Sequence, residues 1–529
     1  MEVLRTRPYE LCAISGFGFK TVDSIARKIG CPVNDSKRIQ GALQYAMDES
    51  QAAGHLFLPK EKICEKAYVL LNEDFPAEVA DKKSVVLGLY QLVQSKRMFS
   101  ENGNIYTPRN FDIEVKTAVC IAKLLMKPGN SIEISTILSE IQNTTKIQLS
   151  KKQAEAIITA YEHRLSIITG GPVTGKTTTL KILLEVFKKI QPNGKVLLSA
   201  PTGRASRRMA ESTGYTETKT LHSALSIIYD GDSDYVSNRD PIDADQLSSV
   251  DAGNVFRELI ACGLIPVTVL DMVFRQSKGS RIAMNAHAIK QNKTSLLYGN
   301  DFVFINCETA YLIQKYYRNE VAASGTEYVQ ILSPFRSRGA ASVEKLNEVI
   351  HELVNPDSQG VLELKVGVRI YRLGDKVVQT KNKGDISNGD VGFIKSMMID
   401  EDSDSTVSIE FSGVRVVEYA VEDMDMIEPA YAMTIHKSQG AEYPIVIMPV
   451  LNSFYIMLKR NLLYTAITRA RTKVILIGQK SALFAAIHRN DVDERNTLSG
   501  KRIQVYCKIL SQKKKTKELA EQPVQVKSY

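Results

Sequence analysis

Membrane spans, a secretion leader and paired metal-binding cysteines are all missing from this sequence. No apolar run approaches the length needed to cross a bilayer, and no charged-then-apolar segment opens the chain. A soluble, cytoplasmic protein is therefore expected. The seven cysteines are scattered, without a Cys-x-x-Cys pair or a His at ligand spacing. Free thiols in a reducing compartment are expected rather than a disulfide framework or a zinc site. Internal repeats are also lacking, and the one biased segment is the Lys-rich polar C-terminus from about Ser511, which reads as a disordered tail.

What is present is ordinary in bulk. Apolar residues make up 44% and charged residues 24%, as in soluble globular proteins. A length of 529 residues exceeds what one core supports, so about three or four domains are expected. The net charge of +9 is compatible with a nucleic-acid partner without establishing one.

The chemistry centres on Gly170-Gly171-Pro172-Val173-Thr174-Gly175-Lys176-Thr177-Thr178. An apolar run, Leu165 to Ile168, precedes it as a strand, and a helical stretch follows to Ile190. Strand, Gly-rich loop, Gly-Lys-Thr and helix form the phosphate-cradling P-loop in its required context. Backbone N–H groups at the helix N-terminus make an anion-binding concavity. Lys176 is placed to reach the β- and γ-phosphates of ATP, and the Thr177 hydroxyl to hold Mg2+. A second parallel unit follows, with the strand Lys195–Ala200 running into Pro201-Thr202-Gly203-Arg204. Active loops in such folds lie at the strands' C-terminal ends.

Upstream, Gly16-Phe17-Gly18 between short helices resembles the helix-hairpin-helix module, whose Gly turn offers backbone N–H groups to DNA phosphates. Ser36 to about Pro108 looks like a small winged-helix domain, able either to bind duplex or to pack as a spacer. Between Asn355 and about Ile427, short alternating runs with a turn at Asn388-Gly389-Asp390 read as a small β-barrel.

These motifs, in this order, resemble the RecD-like helicases of superfamily 1. Ala200-Pro201-Thr202-Gly203-Arg204-Ala205 matches motif Ia, and Thr220-Leu221-His222 resembles the next DNA-contacting motif. Asp245-Gln246-Leu247 resembles motif III, and Val273-Phe274-Arg275-Gln276 matches motif IV. Thr434-Ile435-His436-Lys437-Ser438-Gln439-Gly440-Ala441-Glu442 matches motif V, and Leu463-Tyr464-Thr465-Ala466-Ile467-Thr468-Arg469-Ala470-Arg471 matches motif VI. The resemblance implies that Gln153 reads the adenine and that Gln246, Arg275 and the arginine finger Arg469 meet the γ-phosphate. A fixed guanidinium there stabilises charge that builds in the transition state. It also implies DNA contacts from Gly16, Gly18, Thr202, Arg204, His222, Thr434 and His436.

The expected fold is α/β, with two RecA-like P-loop domains, an SH3-like β-barrel insertion and an N-terminal helix-hairpin-helix and winged-helix region. The expected layout is 1–35 helix-hairpin-helix, 36–145 winged-helix-like, 146–262 first motor domain, 263–355 with 428–510 second motor domain, 356–427 insertion and 511–529 tail. The helix-hairpin-helix points to the stand-alone branch of the family, and the chain is expected to lack that branch's small N-terminal domain. The resemblance implies a monomer moving 5′→3′ on single-stranded DNA with ATP and Mg2+, acting at single-strand/duplex junctions in repair or recombination.

One obligatory feature departs from the pattern. The family carries an apolar strand ending in Asp-Glu, where the Asp supports magnesium and the Glu activates water. No such pair stands between Lys176 and Gln246. Two strands and a helix, roughly 30–40 residues at average lengths, are expected to be missing. Asp243-Ala244-Asp245 marks the junction, consistent with a deletion joined at a short repeat. Runs ending at Asp230 and Asp271 lack the following Glu. Val173 replaces a Gly usual in the loop, which costs about 1–2 kcal/mol if the position needs φ > 0. Ile242 and Ser248 replace the Gly and Pro around motif III. The first motor domain is therefore expected to be small or distorted. The alternatives are a remnant that binds DNA and ATP without hydrolysis, and a decaying product that does not fold. A P-loop kinase is disfavoured because it has no use for motifs V and VI.

Overall fold

The computed structural model describes residues 8–13, 18–171, 174–200, 203–224, 254–270, 280–308, 311–357, 362–384, 386–398, 405–411, 415–489 and 495–520. For Ala13, Arg204, His222 and 514–520 it describes the backbone alone.

The N-terminal region is one packed unit. Helices Phe19–Lys28, Ser36–Ala52, Lys60–Asn72 and Lys82–Gln94 surround a three-stranded antiparallel sheet. In that sheet Asn104–Tyr106 lies between Phe57–Pro59 and Phe99–Glu101. Local chemistry starts the helices: Asp35 accepts from Lys37 N, Asp81 accepts from Ser84 N, and Thr107 caps a helix with Pro108 in its first turn. A continuous core runs from Tyr9 and Phe19 to Met98 and Ile105. At its centre Arg38 donates from Nε to Asp23 Oδ1 at 2.7 Å, while its other nitrogens reach Val33 O and Leu71 O. A buried charge pair so fully bonded fixes geometry more than it adds stability.

The second motor half has a complete parallel sheet. Its strand order is Ala432–Thr434, Val329–Ser333, Tyr443–Val450, Ala470–Gly478 and Phe302–Asn306. Strands such as Val329–Ser333 are buried along their whole length, as a sheet covered on both faces requires. The insertion within it is an antiparallel sheet ordered Arg415–Ala420, Thr406–Phe411, Val391–Met398, Lys376–Gln379 and Ile427–Pro429, with its own core.

The first motor half is built differently. Among the described residues its sheet consists of two separate parallel pairs. Ile167–Gly170 pairs with Val267–Leu270, which corrects the expected boundary at 262 because the strand expected to open the second half lies beside the P-loop strand, and Leu198–Ala200 pairs with Thr218–Thr220. Apolar side chains lie open beside these fragments: Leu197 is 60% exposed and Val269 51%. A parallel strand ordinarily has neighbours and cover on both sides; among the described residues these strands have one neighbour each.

The C-terminus corrects one expectation. Residues 511–520 are not a disordered tail but the continuation of a helix, Ser499–Ala520. That helix lies along Pro108–Leu125 and against Val255–Ala261, not on the sheet of the second motor half. Gly500 N donates to Glu258 and Gln504 Nε2 to Cys262 O. Side-chain contacts of this helix reach Ser511, which meets Met126, and residues 521–529 of the expected tail lie outside the described residues.

Candidate nucleotide and DNA site

The nucleotide loop forms where its strand ends. Gly170 closes the strand beside Leu270, and a methyl added there would lie 2.7 Å from Leu270 O, so only glycine fits. Gly175 caps the helix Lys176–Ile190 in the left-handed region, φ 82°. The first N–H groups of this helix have no partner within it and carry the positive end of its dipole. Thr174 Oγ1 donates to Gly171 O at 2.8 Å, and the buried Thr179 donates to Gly175 O at 3.0 Å. Lys176 folds back over the loop, with Nζ 2.5 Å from Gly170 O and 3.0 Å from Gly171 O. Its ammonium thus holds the two carbonyls that border the phosphate cradle. Thr177 is exposed and Thr178 half-buried in the first turn of the same helix.

Gln153 meets this loop from the helix Lys151–Glu162. It is 3% exposed and completes a capping box with Ser150. Its Oε1 accepts from Ser150 N at 2.9 Å, and its Nε2 lies 3.4 Å from Thr174 O. The amide therefore braces the helix start and the loop together.

The second motor half comes up against the loop through the helix Arg460–Ile467. A methyl at Gly171 would stand 3.0 Å from the Tyr464 hydroxyl. Arg469 is 6% exposed; its Nε donates to Thr465 O at 3.2 Å and its Nη1 to Ala441 O at 3.1 Å. Its guanidinium thereby ties the end of motif VI to the backbone of motif V. Motif V follows a strand C-terminus, at the edge where active loops gather. Thr434 Oγ1 accepts from Lys437 N, and His436 stands in a short turn at the surface. A methyl at Gly440 would lie 3.7 Å from Ala205 Cβ, so motif V adjoins the helix that follows motif Ia.

Two features here carry no local signal in the sequence. Glu428, half-buried, gathers Lys437 (3.1 Å), Arg336 (2.8 Å) and Arg369 (3.1 Å). Burial pushes its carboxyl up, but these three cations outweigh that and hold it below the usual range. Lys437 is nine residues away, but Arg336 and Arg369 come from distant stretches, so only the fold completes the cluster. The second feature is the insertion's tip. Asp390, 3% exposed, accepts from Ser387 N at 2.8 Å and pairs with Arg207 on the helix Gly203–Thr213. Ser387 also packs on Gly203, where a side chain would collide with its hydroxyl. The insertion therefore rests on the first motor half beside motif Ia.

Several expected site residues lie outside the described residues: Gly16, Pro172, Val173, Thr202, Gln246 and Arg275, together with the 225–253 stretch that holds the expected junction. The side chains of Arg204 and His222 lie outside them as well. Gly18 caps the helix Phe19–Lys28 with φ −65° and accepts from Thr21 N and Val22 N, a conformation open to other residues. Among the described residues, no helix is long and apolar enough to cross a membrane.

A P-loop strand and helix, a second parallel α/β half carrying motifs V and VI, and a β-insertion between its segments define a superfamily 1 helicase of the P-loop class. Comparison with known proteins narrows this further. The family described as the ATP-dependent RecD2 DNA helicase HHH domain matches residues 1–57, and the ATP-dependent RecD-like DNA helicase SH3 domain matches 346–411. An AAA domain matches 153–299 and a UvrD-like helicase C-terminal domain 429–477. The ATP-dependent RecD2 DNA helicase of Deinococcus radiodurans is 30% identical, covering 94% of this chain and 73% of its own length. The RecBCD enzyme subunit RecD of Mycolicibacterium smegmatis is 25% identical over 65% of this chain and 73% of its own. Among solved structures, Bacteroides Pif1 bound to ssDNA is similar at 18% identity, covering 62% of this chain and 92% of that one, with a TM-score of 0.37. The chain belongs to the RecD2-like family of ATP-dependent DNA helicases.

Proposed function

We propose that this chain is a monomeric, cytoplasmic motor that hydrolyses ATP to move 5′→3′ along single-stranded DNA and opens single-strand/duplex junctions in repair or recombination. The observation that carries the reading is the meeting of the two halves at one loop. Lys176 and the helix N-terminus lie on one side, and Tyr464 on the other. In this reading Gly170 to Thr178 hold the triphosphate and Lys176 leaves the loop carbonyls to meet it. Gln153 steadies the loop beside the adenine, while Gln246, Arg275 and Arg469 face the γ-phosphate.

The chemistry of the first helical turn fits a magnesium ion at Thr177: a hydroxyl stands beside a cradle for phosphate oxygens, the donor set such an ion takes. When bound, the ion neutralises charge on the β- and γ-oxygens. Gly16, Gly18, Thr202, Arg204, His222, Thr434 and His436 face DNA in this reading. Closing the cleft on ATP and reopening it after hydrolysis alternates the grip of the two halves on the strand. Forked duplexes with a single tail test the polarity. Unwinding of the 5′-tailed substrate and not the 3′-tailed one is expected, and the reverse preference overturns the direction.

A second reading, binding without hydrolysis, rests on the missing Asp-Glu pair between Lys176 and Gln246, and two further observations are compatible with it. The P-loop strand has one neighbour among the described residues. The match to the Deinococcus radiodurans helicase extends over 546 positions, more than the 529 residues of this chain, so that relative has residues with no counterpart here.

A further inference from the structure

Tyr464 has no part in the mechanism above, yet it is the side chain of the second motor half that comes up to Gly171. It is 5% exposed, and the position a methyl would take on Gly171 lies 3.0 Å from its hydroxyl. Gly171 is also the residue whose carbonyl receives Lys176 Nζ and Thr174 Oγ1. The phenol therefore stands at the peptide that must change partners when phosphate draws Lys176 away. On its own side, Tyr464 is joined to the arginine finger by a single helical turn. Thr468 N donates to Tyr464 O at 3.0 Å, Thr468 Oγ1 to Thr465 O at 3.0 Å, and Arg469 Nε to that same Thr465 carbonyl at 3.2 Å. Tyr464 and the Arg469 anchor share this hydrogen-bonded turn, the route by which a shift of the phenol would reach the guanidinium.

We infer that Tyr464 is a positioning residue: its hydroxyl registers the state of the nucleotide loop and transmits it through the last turn of its helix to Arg469 and motif V. This rests on the reading that Gly170 to Thr178 bind a nucleoside triphosphate. A tyrosine that only filled space would need its ring and not its hydroxyl, so Tyr464→Phe separates the two roles.

The test uses the full chain and a fluorescent ATP analogue, titrated with and without an unstructured DNA oligonucleotide. The wild type is expected to bind the analogue at least about 5-fold more tightly with DNA, the lower end of ordinary coupling between sites. Tyr464→Phe is expected to bring that ratio close to one while the thermal midpoint and the affinity for DNA alone stay at wild-type values. Gly171→Ala, whose methyl points at the same hydroxyl, is expected to lower the ratio from the other side of the contact. It supplies the answer if Tyr464→Phe does not fold. A ratio unchanged in the folded variant, or no coupling in a wild type that binds the analogue, overturns the inference. Failure of the wild type to bind the analogue at all, with Lys176→Ala no worse, overturns the nucleotide-binding reading instead.

Discussion

Glu114 is the joint at which the C-terminal helix is fastened to the rest of the chain, and its removal has a calculable consequence. Its side chain is fully buried and accepts five hydrogen bonds. Thr497 Oγ1 (2.7 Å), Leu498 N (2.7 Å) and Ser499 Oγ (3.2 Å) reach one oxygen. Arg502 Nε (2.9 Å) and Tyr106 OH (3.2 Å) reach the other. Arg502 also pairs with Glu101, Nη1 to Oε1 at 3.1 Å. Burial works against its charge, but the bonds to Glu101, Glu114 and Tyr106 prevail and raise its pKa further. Glu114→Ala strands one buried donor set and half-strips a buried guanidinium, which costs about 3–5 kcal/mol. The effect should be local first, since the lost bonds hold the start of Ser499–Ala520. Hydrogen exchange followed by mass spectrometry is expected to show protection lost in 497–513 and in the facing helix Pro108–Leu125, at denaturant concentrations that leave the second motor sheet protected. The double variant Glu114→Leu with Arg502→Met removes this charge pair but leaves Leu498 N, Thr497, Ser499 and Tyr106 without their acceptor and Glu101 without Arg502, so it should recover only part of the loss. Wild-type protection of 497–513 in Glu114→Ala would refute the joint, and no recovery in the double variant would refute the electrostatic reasoning.

Other consequences follow from the same contacts. Asp390→Ala removes a buried acceptor from Ser387 N and the partner of Arg207. A local loss of about 1–3 kcal/mol is expected, read as faster exchange in 387–390 and 203–213 with the insertion's strands still protected. The depressed Glu428 carboxyl stabilises the fold fully above its ordinary value of 4.5, and that contribution fades as pH falls through the lower folded value. The gap in unfolding midpoint between wild type and Glu428→Gln is therefore expected to be constant near neutrality and to close in acid. A gap that widens in acid contradicts the sign. Lys176→Ala is expected to weaken triphosphate binding more than diphosphate binding, measured by competition with the fluorescent analogue. Equal losses would place the ammonium away from the γ-phosphate.

The legible parts of this molecule were those written in contiguous residues. The P-loop announces itself because strand, glycines, lysine and helix are adjacent, and motifs V and VI are short unbroken runs. The insertion shows in the alternation of stretches such as Val407–Phe411, whose inward and outward side chains the structure reproduces. What could not be read depends on distant partners. Arg207 and Asp390 are 183 residues apart, and Glu114 and Arg502 are 388 apart. The C-terminal helix is the sharpest case. Its lysines suggest disorder, but Ile503 is buried and Ser511 reaches Met126 on the helix it covers. Gln153 stood out in the sequence by its offset before the P-loop, as a candidate reader of the adenine. Its use as a helix cap shows only when Ser150 and Thr174 are seen beside it.

The central claim is that the two halves, meeting at Gly171, turn over ATP. The most direct measurement is the rate of phosphate release with and without single-stranded DNA, for the wild type and for Lys176→Ala. DNA-stimulated turnover is expected in the wild type and a loss of about 100-fold or more in the variant, the usual effect of removing one fixed donor from a developing charge. Binding of both nucleotide and DNA, with phosphate release no faster than in Lys176→Ala, would contradict it.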